Sequence, residues 1–219
     1  MRIAIGLYEH FTSLDVMGPF QVLSGLPNAQ VTFVAEKAGP VTDDSGFLTV
    51  TAQASFDDLP DPDILLVGGG IITGTLIPHH PIIPWIARAH PTTTWTTSVC
   101  TGALLLAGAG LLNGVEATTH WGALDELARL GAIPVRARVV QRGKIVTGAG
   151  VSAGIDMALT LAAAIAGPEY AQTLQLMMEY DPAPPFDAGS PEKAGPETVQ
   201  RAFATMMEVM RTLAQRASS

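Results

Sequence analysis

The only cysteine of the 219-residue chain, Cys100, stands between a strand-like segment and a helix-like segment. Thr93–Val99 before it is rich in β-branched residues, and Thr101–Ala109 after it is small and apolar. A sulfur at the start of a helix lies near unpaired backbone N–H groups and the positive end of the helix dipole, which favour the thiolate. The pattern predicts a nucleophile on a sharp strand-to-helix turn. The alternative is a small buried apolar residue, since free cysteine is among the most buried residue types.

Asp15 follows the first strand-like segment and has the apolar neighbours Leu14, Val16, Met17 and Phe20. A carboxyl group that is desolvated beside a thiolate has a raised pKa and stays protonated. It can then exchange a proton with a bound substrate. The alternative is an ordinary surface acid, which the helix dipole favours in the first turn of a helix.

Two further features could contribute to chemistry at Cys100. Gly68, Gly69 and Gly70 follow an apolar segment, and glycines there would let backbone N–H groups approach negative charge on a substrate. The alternative is a tight turn that needs glycine anyway. His120 follows twenty residues after the cysteine and could form a Cys–His pair, or it could be a buried structural histidine.

Short apolar strands alternate with helix-like segments along the chain, which predicts a mostly parallel sheet covered on both faces. The predicted strands are Arg2–Tyr8, Gln30–Glu36, Asp63–Val67, Thr93–Val99, Val135–Val140 and Lys144–Thr147, the last two forming a hairpin. The predicted helices are Leu14–Leu23, Pro81–His90, Thr101–Ala109, Trp121–Leu130 and Ser152–Ala166. Ligands of such sheets bind beyond the carboxyl ends of the strands, where Cys100 would lie.

The C-terminal part of the chain has a different composition. Residues 181–195 are rich in proline and glycine and predict an ordered loop or strap within a single domain that spans residues 1–219. Pro196 and Glu197 suit the first turn of a final helix. Its apolar residues Val199, Phe203, Met206, Met210 and Leu213 share one face. We expect that face to pack on its own domain, with a dimer contact as the alternative.

The composition limits the classes of partner. Apolar residues make up 47% of the chain, charged residues 15%, and the net charge is −8 without a basic run, so we expect no nucleic-acid binding. The N-terminus lacks the features of a signal peptide, and the apolar stretches at 102–112 and 157–167 are too short to span a membrane. A single cysteine forms neither an internal disulfide nor a thiolate metal cluster. We therefore expect a cytoplasmic protein without membrane contact.

Several segments together resemble the DJ-1/PfpI superfamily over nearly the whole chain. They are VCTGALLLAGAGLLNG with ATTHW, VGGG after a strand, LDVMGPFQVL and GVSAGIDMAL. Within that superfamily, Asp15, the Cys100–Thr101 pair and EYDPAPPFDAGSP resemble the isocyanide hydratases.

The resemblance implies a flavodoxin-like, three-layer α/β sandwich with a mostly parallel central sheet, similar to the class I glutamine amidotransferases. It implies a homodimer with no metal and no organic cofactor. The implied reaction is hydration of a small-molecule isocyanide to an N-substituted formamide through a cysteine thioimidate. By position, Cys100 would be the nucleophile and Asp15 its acid/base partner, while Thr101 and the backbone of Gly69 and Gly70 would line an oxyanion-hole-like pocket.

Other activities within the superfamily fit the residues less well. Members that resemble the PfpI proteases have a histidine directly after the cysteine, where this chain has Thr101. The His-x-Glu pair of the amidotransferases is absent, because Gly122 stands two residues after His120. Three alternatives stay open: a glyoxalase-like hydratase acting on methylglyoxal, a non-enzymatic cysteine redox sensor, and a ligand-binding module.

Overall fold

A seven-stranded sheet forms the centre of the computed structural model, within residues 1–216, the part of the chain that the structure describes. The strands of the whole structure are β1 (Arg2–Gly6), β2 (Gln30–Ala35), β3 (Gly39–Thr42), β4 (Thr49–Ala52), β5 (Ala54–Ser55), β6 (Ile64–Val67), β7 (Trp95–Val99), β8 (Glu116–Ala117), β9 (Ile133–Pro134), β10 (Val139–Arg142) and β11 (Ile145–Gly148). The order in the central sheet is β10-β11-β7-β6-β1-β2-β5. All its neighbours are parallel except β10, which is antiparallel to β11 and forms the predicted hairpin.

Helices cover both faces of this sheet, so the predicted three-layer α/β class is confirmed. They are α1 (Ser13–Leu23), α2 (Ile82–Ala89), α3 (Gly102–Gly108), α4 (Leu124–Arg129), α5 (Ala153–Ala166), α6 (Pro168–Met177), α7 (Pro191–Ala194) and α8 (Pro196–Arg216). Short 3₁₀ turns span Thr73–Leu76 and Trp121–Ala123. Helix α5 packs against α1 and α6, and α2 packs against α3. None of the described helices is both long and apolar enough to cross a bilayer.

The central strands are buried on both faces because their side chains are almost all apolar or β-branched. All four residues of β6 and all four of β11 are buried. A parallel strand with a helical layer on each face has no solvated side, so it does not alternate between apolar and polar residues. Because β1, β6 and β7 are parallel neighbours, their carboxyl ends lie side by side at one edge of the sheet.

Three sequence-based boundaries were wrong. The predicted strand Val135–Val140 is interrupted, because residues 135–138 lie between β9 and β10, where Arg138 pairs with Asp156 of α5. The predicted strap at 181–195 contains the single turn α7, which Pro191 can start because its fixed φ suits a first helical position. The predicted helix Trp121–Leu130 begins as a 3₁₀ turn and becomes α-helical only at Leu124.

The sequence analysis also missed α6, the antiparallel hairpin β3–β4 and the two-residue strands β5, β8 and β9. In that hairpin, Asp43 Oδ1 accepts hydrogen bonds from the Ser45 hydroxyl and from the N–H groups of Gly46 and Leu48. Asp44 N–H donates to Phe11 O at 2.9 Å, which fixes the hairpin loop beside the carboxyl end of β1.

Gly102, the first residue of α3, is packed directly against the strand next to it. A Cβ atom at this position would lie 2.5 Å from Val67 O and 3.0 Å from the Gly68 carbonyl carbon. Because both are backbone atoms of the central sheet, neither can move aside as a flexible side chain can. We expect Gly102→Ala to lower the free energy of unfolding by about 1–3 kcal/mol, measured by urea denaturation.

Gly189→Ala is the matched control, because no heavy atom lies within 4 Å of a Cβ built there. We expect that control to stay within about 0.5 kcal/mol of the parent protein. Equal stability of the two variants would show that α3 does not approach β6 as closely as the structure indicates.

Candidate active site

Cys100 lies on a strained turn between β7 and α3. Its φ is +57°, in the left-handed region that residues with a side chain rarely adopt. The surrounding backbone holds it there: Cys100 N–H donates to Gly148 O at 3.1 Å and to Ala149 O at 3.0 Å. The Cys100 carbonyl accepts the Thr119 hydroxyl at 2.8 Å. The predicted strand-to-helix turn is therefore present and presents the sulfur at the sheet edge.

Asp15 lies in the first turn of α1 and is fully buried, so it is not the surface acid of the alternative interpretation. Its Oδ2 accepts the Gly69 N–H at 2.9 Å, and the carboxyl group also interacts with the Cys100 thiol. Burial raises the pKa of Asp15 from 3.8 to about 7, although the Gly69 N–H and the Cys100 thiol act in the lowering direction. The negative charge of Asp44 raises this pKa further.

The pKa of Cys100 differs from the expectation for a sulfur at a helix start. Burial and the nearby Asp15 charge raise the pKa of the thiol above its usual value, although the backbone N–H groups of Val151 and Thr101 act in the lowering direction. The predicted lowering is therefore wrong, because desolvation outweighs the donors at the start of the seven-residue helix α3. Cys100 and Asp15 are a coupled pair, and their titration belongs to the two groups together.

The backbone donors of the glycine turn are already engaged. Gly69 N–H donates to Asp15, and Gly70 N–H donates to the Thr101 hydroxyl at 3.0 Å. The predicted role of these two N–H groups as free oxyanion donors is wrong for that reason. Their effect is to orient Asp15 and Thr101. Gly69 must lack a side chain, because a Cβ there would lie 2.5 Å from Thr101 N.

Thr101 is the start of a buried hydroxyl chain that the sequence analysis missed. The Thr101 hydroxyl donates to Gly70 O at 2.9 Å and lies 2.9 Å from the Thr73 hydroxyl. The Thr73 hydroxyl in turn lies 2.9 Å from the phenol oxygen of Tyr8, whose pKa burial raises. Tyr8 ends the first predicted strand, and its place at the carboxyl edge of the sheet was the sequence feature that could have indicated a part in the site.

A cavity of about 440 Å³ opens above the sulfur. Cys100 is 6% exposed, and that exposed part faces this cavity together with Gly70 and Thr101. The remaining walls come from the β3–β4 loop, α4 and α8, and they include Asp44, Glu126, Phe203, Met206, Met207 and Met210. A small molecule in this cavity can therefore reach Cys100, next to which the Asp15 carboxyl is buried.

His120 lines the cavity but does not form the Cys–His pair that was one option. Its Nδ1 accepts the Gly122 N–H at 3.2 Å, and burial lowers the pKa of the ring, which favours the neutral form. Among the described residues no hydrogen bond joins His120 to Cys100. The ring instead forms a wall between this cavity and a second one of about 460 Å³. Within residues 1–216 no group of three or more His, Cys, Asp or Glu side chains could hold a metal ion.

Comparisons with known proteins agree with this geometry. The isonitrile hydratase of Pseudomonas putida is 44% identical over 202 residues, which cover 92% of this chain and 88% of the relative. A crystal structure of a THiJ/PfpI family protein from Pseudomonas syringae superimposes with a TM-score of 0.86 at 37% identity, covering 97% of this chain and 90% of that one.

More distant structures share the fold. Drosophila melanogaster DJ-1beta superimposes with a TM-score of 0.74 at 16% identity, covering 81% of this chain and 97% of that one. The DJ-1/PfpI family match itself extends over residues 1–164, from β1 through α5 and thus through both Asp15 and Cys100. The chain belongs to the DJ-1/PfpI family.

Proposed function

We propose that this protein is an isonitrile hydratase, which adds water to the terminal carbon of an isocyanide and releases an N-substituted formamide. The observation that carries the proposal is the fully buried Asp15 carboxyl, whose Oδ1 has no hydrogen-bond partner among the described residues, next to Cys100 at the base of a cavity. The 44% identity to an isonitrile hydratase over most of both chains supports the same reaction.

The first half of the reaction uses the single proton that the pair shares above about pH 7. With that proton on Asp15, the Cys100 thiolate attacks the terminal carbon of R–N≡C and forms a C–S bond. The Asp15 carboxylic acid then gives its proton to the same carbon, which leaves a thioimidate, R–N=CH–S–Cys100, and an Asp15 carboxylate. A carboxyl group with a pKa of about 7 is well matched to give up and regain a proton near neutral pH.

The second half consumes one water molecule. The Asp15 carboxylate takes one proton from the water as its oxygen adds to the thioimidate carbon, and Asp15 then passes that proton to the nitrogen as the C=N double bond becomes single. Collapse of this adduct forms the C=O bond and breaks the C–S bond, so R–NH–CHO leaves, the thiolate is restored, and the remaining hydroxyl proton goes to the Asp15 carboxylate. The water supplies the oxygen and the N–H proton, and the proton balance returns Asp15 to its acid form.

Backbone donors beside the sulfur are placed to stabilise the charges of these steps. The N–H groups of Thr101 and Val151 act on Cys100 Sγ and are the groups closest to negative charge on the sulfur. Gly69 and Gly70 support the reaction indirectly, by holding the Asp15 carboxyl and the Thr101 hydroxyl in place. Positioned charges and dipoles of this kind lower the barrier because they need no reorganisation during the reaction.

We further propose that the enzyme is a cofactor-independent lyase of the carbon–nitrogen type. We place it in the cytoplasm, with a small-molecule substrate and no nucleic-acid partner. We also propose a homodimer. The large exposed apolar side chains Phe47 and Phe186 support it, because such surfaces are commonly covered in oligomers.

The alternatives are separable by chemistry. A redox sensor needs an accessible thiolate of low pKa, whereas burial raises the pKa of Cys100 and leaves it 6% exposed. A glyoxalase-like hydratase would use the same cysteine on methylglyoxal. Parallel assays with n-butyl isocyanide and methylglyoxal distinguish that activity from isocyanide hydration, and consumption of neither would favour a ligand-binding module.

Removal of the nucleophile is the direct test of the reaction. We expect Cys100→Ala to form no N-butylformamide from n-butyl isocyanide, because the C–S bond can no longer form. We expect the parent protein, quenched in acid during turnover, to carry the isocyanide as a covalent adduct on Cys100 by mass spectrometry. The matched control is Ser98→Ala, two residues earlier in β7, whose buried hydroxyl has no hydrogen-bond partner. Turnover by Cys100→Ala at the parental rate would refute the mechanism.

Replacement of Asp15 tests its role as the acid of the reaction. We expect Asp15→Asn to lower kcat by about 10²- to 10⁴-fold, since the amide cannot donate and regain the proton. In the parent protein kcat/KM should rise with pH up to about 7 and then level off, because below that pH both groups are protonated and no thiolate is available. The variant should lose this inflection. An unchanged inflection would assign it to another group.

The pH dependence of the unfolding free energy of Asp15→Asn tests the raised pKa of Asp15 without an activity assay. Because the pKa of Asp15 is higher in the folded protein than its ordinary value of 3.8, the folded state binds the proton more tightly. This contribution to stability is therefore present at low pH and is lost as the pH rises toward about 7. Asp15→Asn has no such loss. A shift of one pKa unit corresponds to about 1.4 kcal/mol. Between about pH 4 and pH 8, the unfolding free energy of the parent should therefore fall by up to about 4 kcal/mol relative to that of Asp15→Asn.

A further inference from the structure

The wall of the cavity opposite Cys100 is made by the C-terminal helix α8. Four of its side chains, Phe203, Met206, Met207 and Met210, line the cavity that contains the sulfur. These four side chains form an apolar surface that a molecule bound in the cavity would contact. It lies beyond residue 164, where the family match ends.

Contacts at both ends hold α8 over the cavity. The Phe203 ring packs edge-on against Trp121 with the ring centroids 4.8 Å apart, and Leu213 near the end of the helix is 3% exposed. Between these anchors the methionines present flexible, polarisable side chains, which adapt to apolar groups of different shapes. The helix thus supplies a positioned but adaptable apolar surface.

The rim of the same cavity carries negative charge. Asp44 accepts the Thr12 hydroxyl at 2.6 Å, and the Glu126 carboxylate lies close above the backbone of Gly74. Neither acid forms an ion pair among the described residues, and no Lys or Arg lines this cavity. A bound anion would therefore lie near two carboxylates and the charged Asp15–Cys100 pair without a compensating cation.

We propose that α8 and these two acids set the substrate class: isocyanides with an uncharged, apolar substituent of several carbons, which rests on the methionines, while carboxylate-bearing isocyanides are rejected. The inference rests on the proposed function and specifies which isocyanides the site takes. The reacting carbon lies at Cys100 and the substituent points toward α8, because that direction offers both the free volume and the apolar contact.

The apolar part of the proposal is tested with isocyanides that differ in length. Each buried methylene group is worth about fourfold in affinity, so we expect kcat/KM for n-butyl isocyanide to exceed that for methyl isocyanide by at least about tenfold. In the double variant Met206→Ala/Met210→Ala this ratio should fall to about threefold or less. A ratio that stays at the parental value would overturn the role of α8.

Met177→Ala is the matched control for the methionine variant. Met177 ends α6, is 78% exposed and does not line the cavity above Cys100. It truncates one methionine at a surface position instead of two in the cavity wall, so the butyl-to-methyl ratio should stay at the parental value. Circular dichroism and a thermal unfolding curve of each variant identify any loss of activity that comes from unfolding rather than from the altered wall.

The charge part of the proposal is tested with a matched pair of substrates, isocyanoacetate and its ethyl ester. We expect the parent protein to prefer the ester by at least about tenfold in kcat/KM, since a like charge at contact distance costs on the order of a factor of ten or more at a partly solvated site. Asp44→Asn/Glu126→Gln should reduce that preference by about tenfold. The assay is run at about pH 8, above the Asp15 pKa of about 7, so that the charge of the Asp15–Cys100 pair is the same in every measurement.

Asp125→Asn is the control for the acidic pair, because Asp125 is exposed on α4 next to Glu126 but does not line the cavity. It removes one negative charge from nearly the same place and should leave the ester preference unchanged. An ester preference that is equal in the parent and in Asp44→Asn/Glu126→Gln would overturn the role of the rim acids.

A binding measurement distinguishes failure of this inference from failure of the proposed function. Cys100→Ala is titrated with N-butylformamide, N-methylformamide and N-formylglycine, and binding is followed by the fluorescence of Trp121 beside Phe203. If the parent hydrates no isocyanide while the butyl compound still binds best and loses this advantage in the methionine variant, the function fails and the cavity preference stands. If isocyanides are hydrated but no ratio responds to the variants, the function stands and the inference fails.

Discussion

Desolvation of two acidic groups in contact is the constraint on which the site depends. Asp15 is fully buried next to Cys100, and burial raises the pKa of both groups. The Asp15 charge raises the pKa of Cys100 further, because two negative charges cannot be accommodated in so little solvent. The pair therefore retains one proton over the neutral range. A buried thiol alone would be inert and an exposed thiolate would oxidise, whereas the shared proton supplies a nucleophile and an acid from the same contact.

The fold holds this contact by bringing three carboxyl strand ends together. The turn after β1 leads to Asp15, the turn after β6 supplies the Gly69 N–H that fixes its carboxyl group, and the turn after β7 carries Cys100. The left-handed backbone at Cys100 is unfavourable for a residue with a side chain. Hydrogen bonds to Gly148, Ala149 and Thr119 offset that strain. The geometry of the pair thus depends on the sheet rather than on any flexible loop.

Local features of the site were predictable from the sequence, and those that depend on distant segments were not. The turn at Cys100 and the burial of Asp15 follow from patterns within a few residues. The raised pKa of Cys100 does not, because desolvation depends on the whole packed structure. The Gly69 and Gly70 donors were recognised, but their acceptors, Asp15 and Thr101, are distant in the chain. The β3–β4 hairpin had a local turn signal, Asp-Ser-Gly at residues 44–46, that the strand analysis did not use.

The absence of a cation among the described residues around the cavity follows from the same constraint as the pair itself. A Lys or Arg beside Cys100 would lower the pKa of both groups, and Asp15 would then lose its proton at neutral pH. The thiolate would be more abundant, but no acid would remain to protonate the isocyanide carbon. Asp44 acts in the opposite direction, since its charge raises the pKa of Asp15. The acidic rim, through Asp44, therefore helps to preserve the proton that the reaction needs.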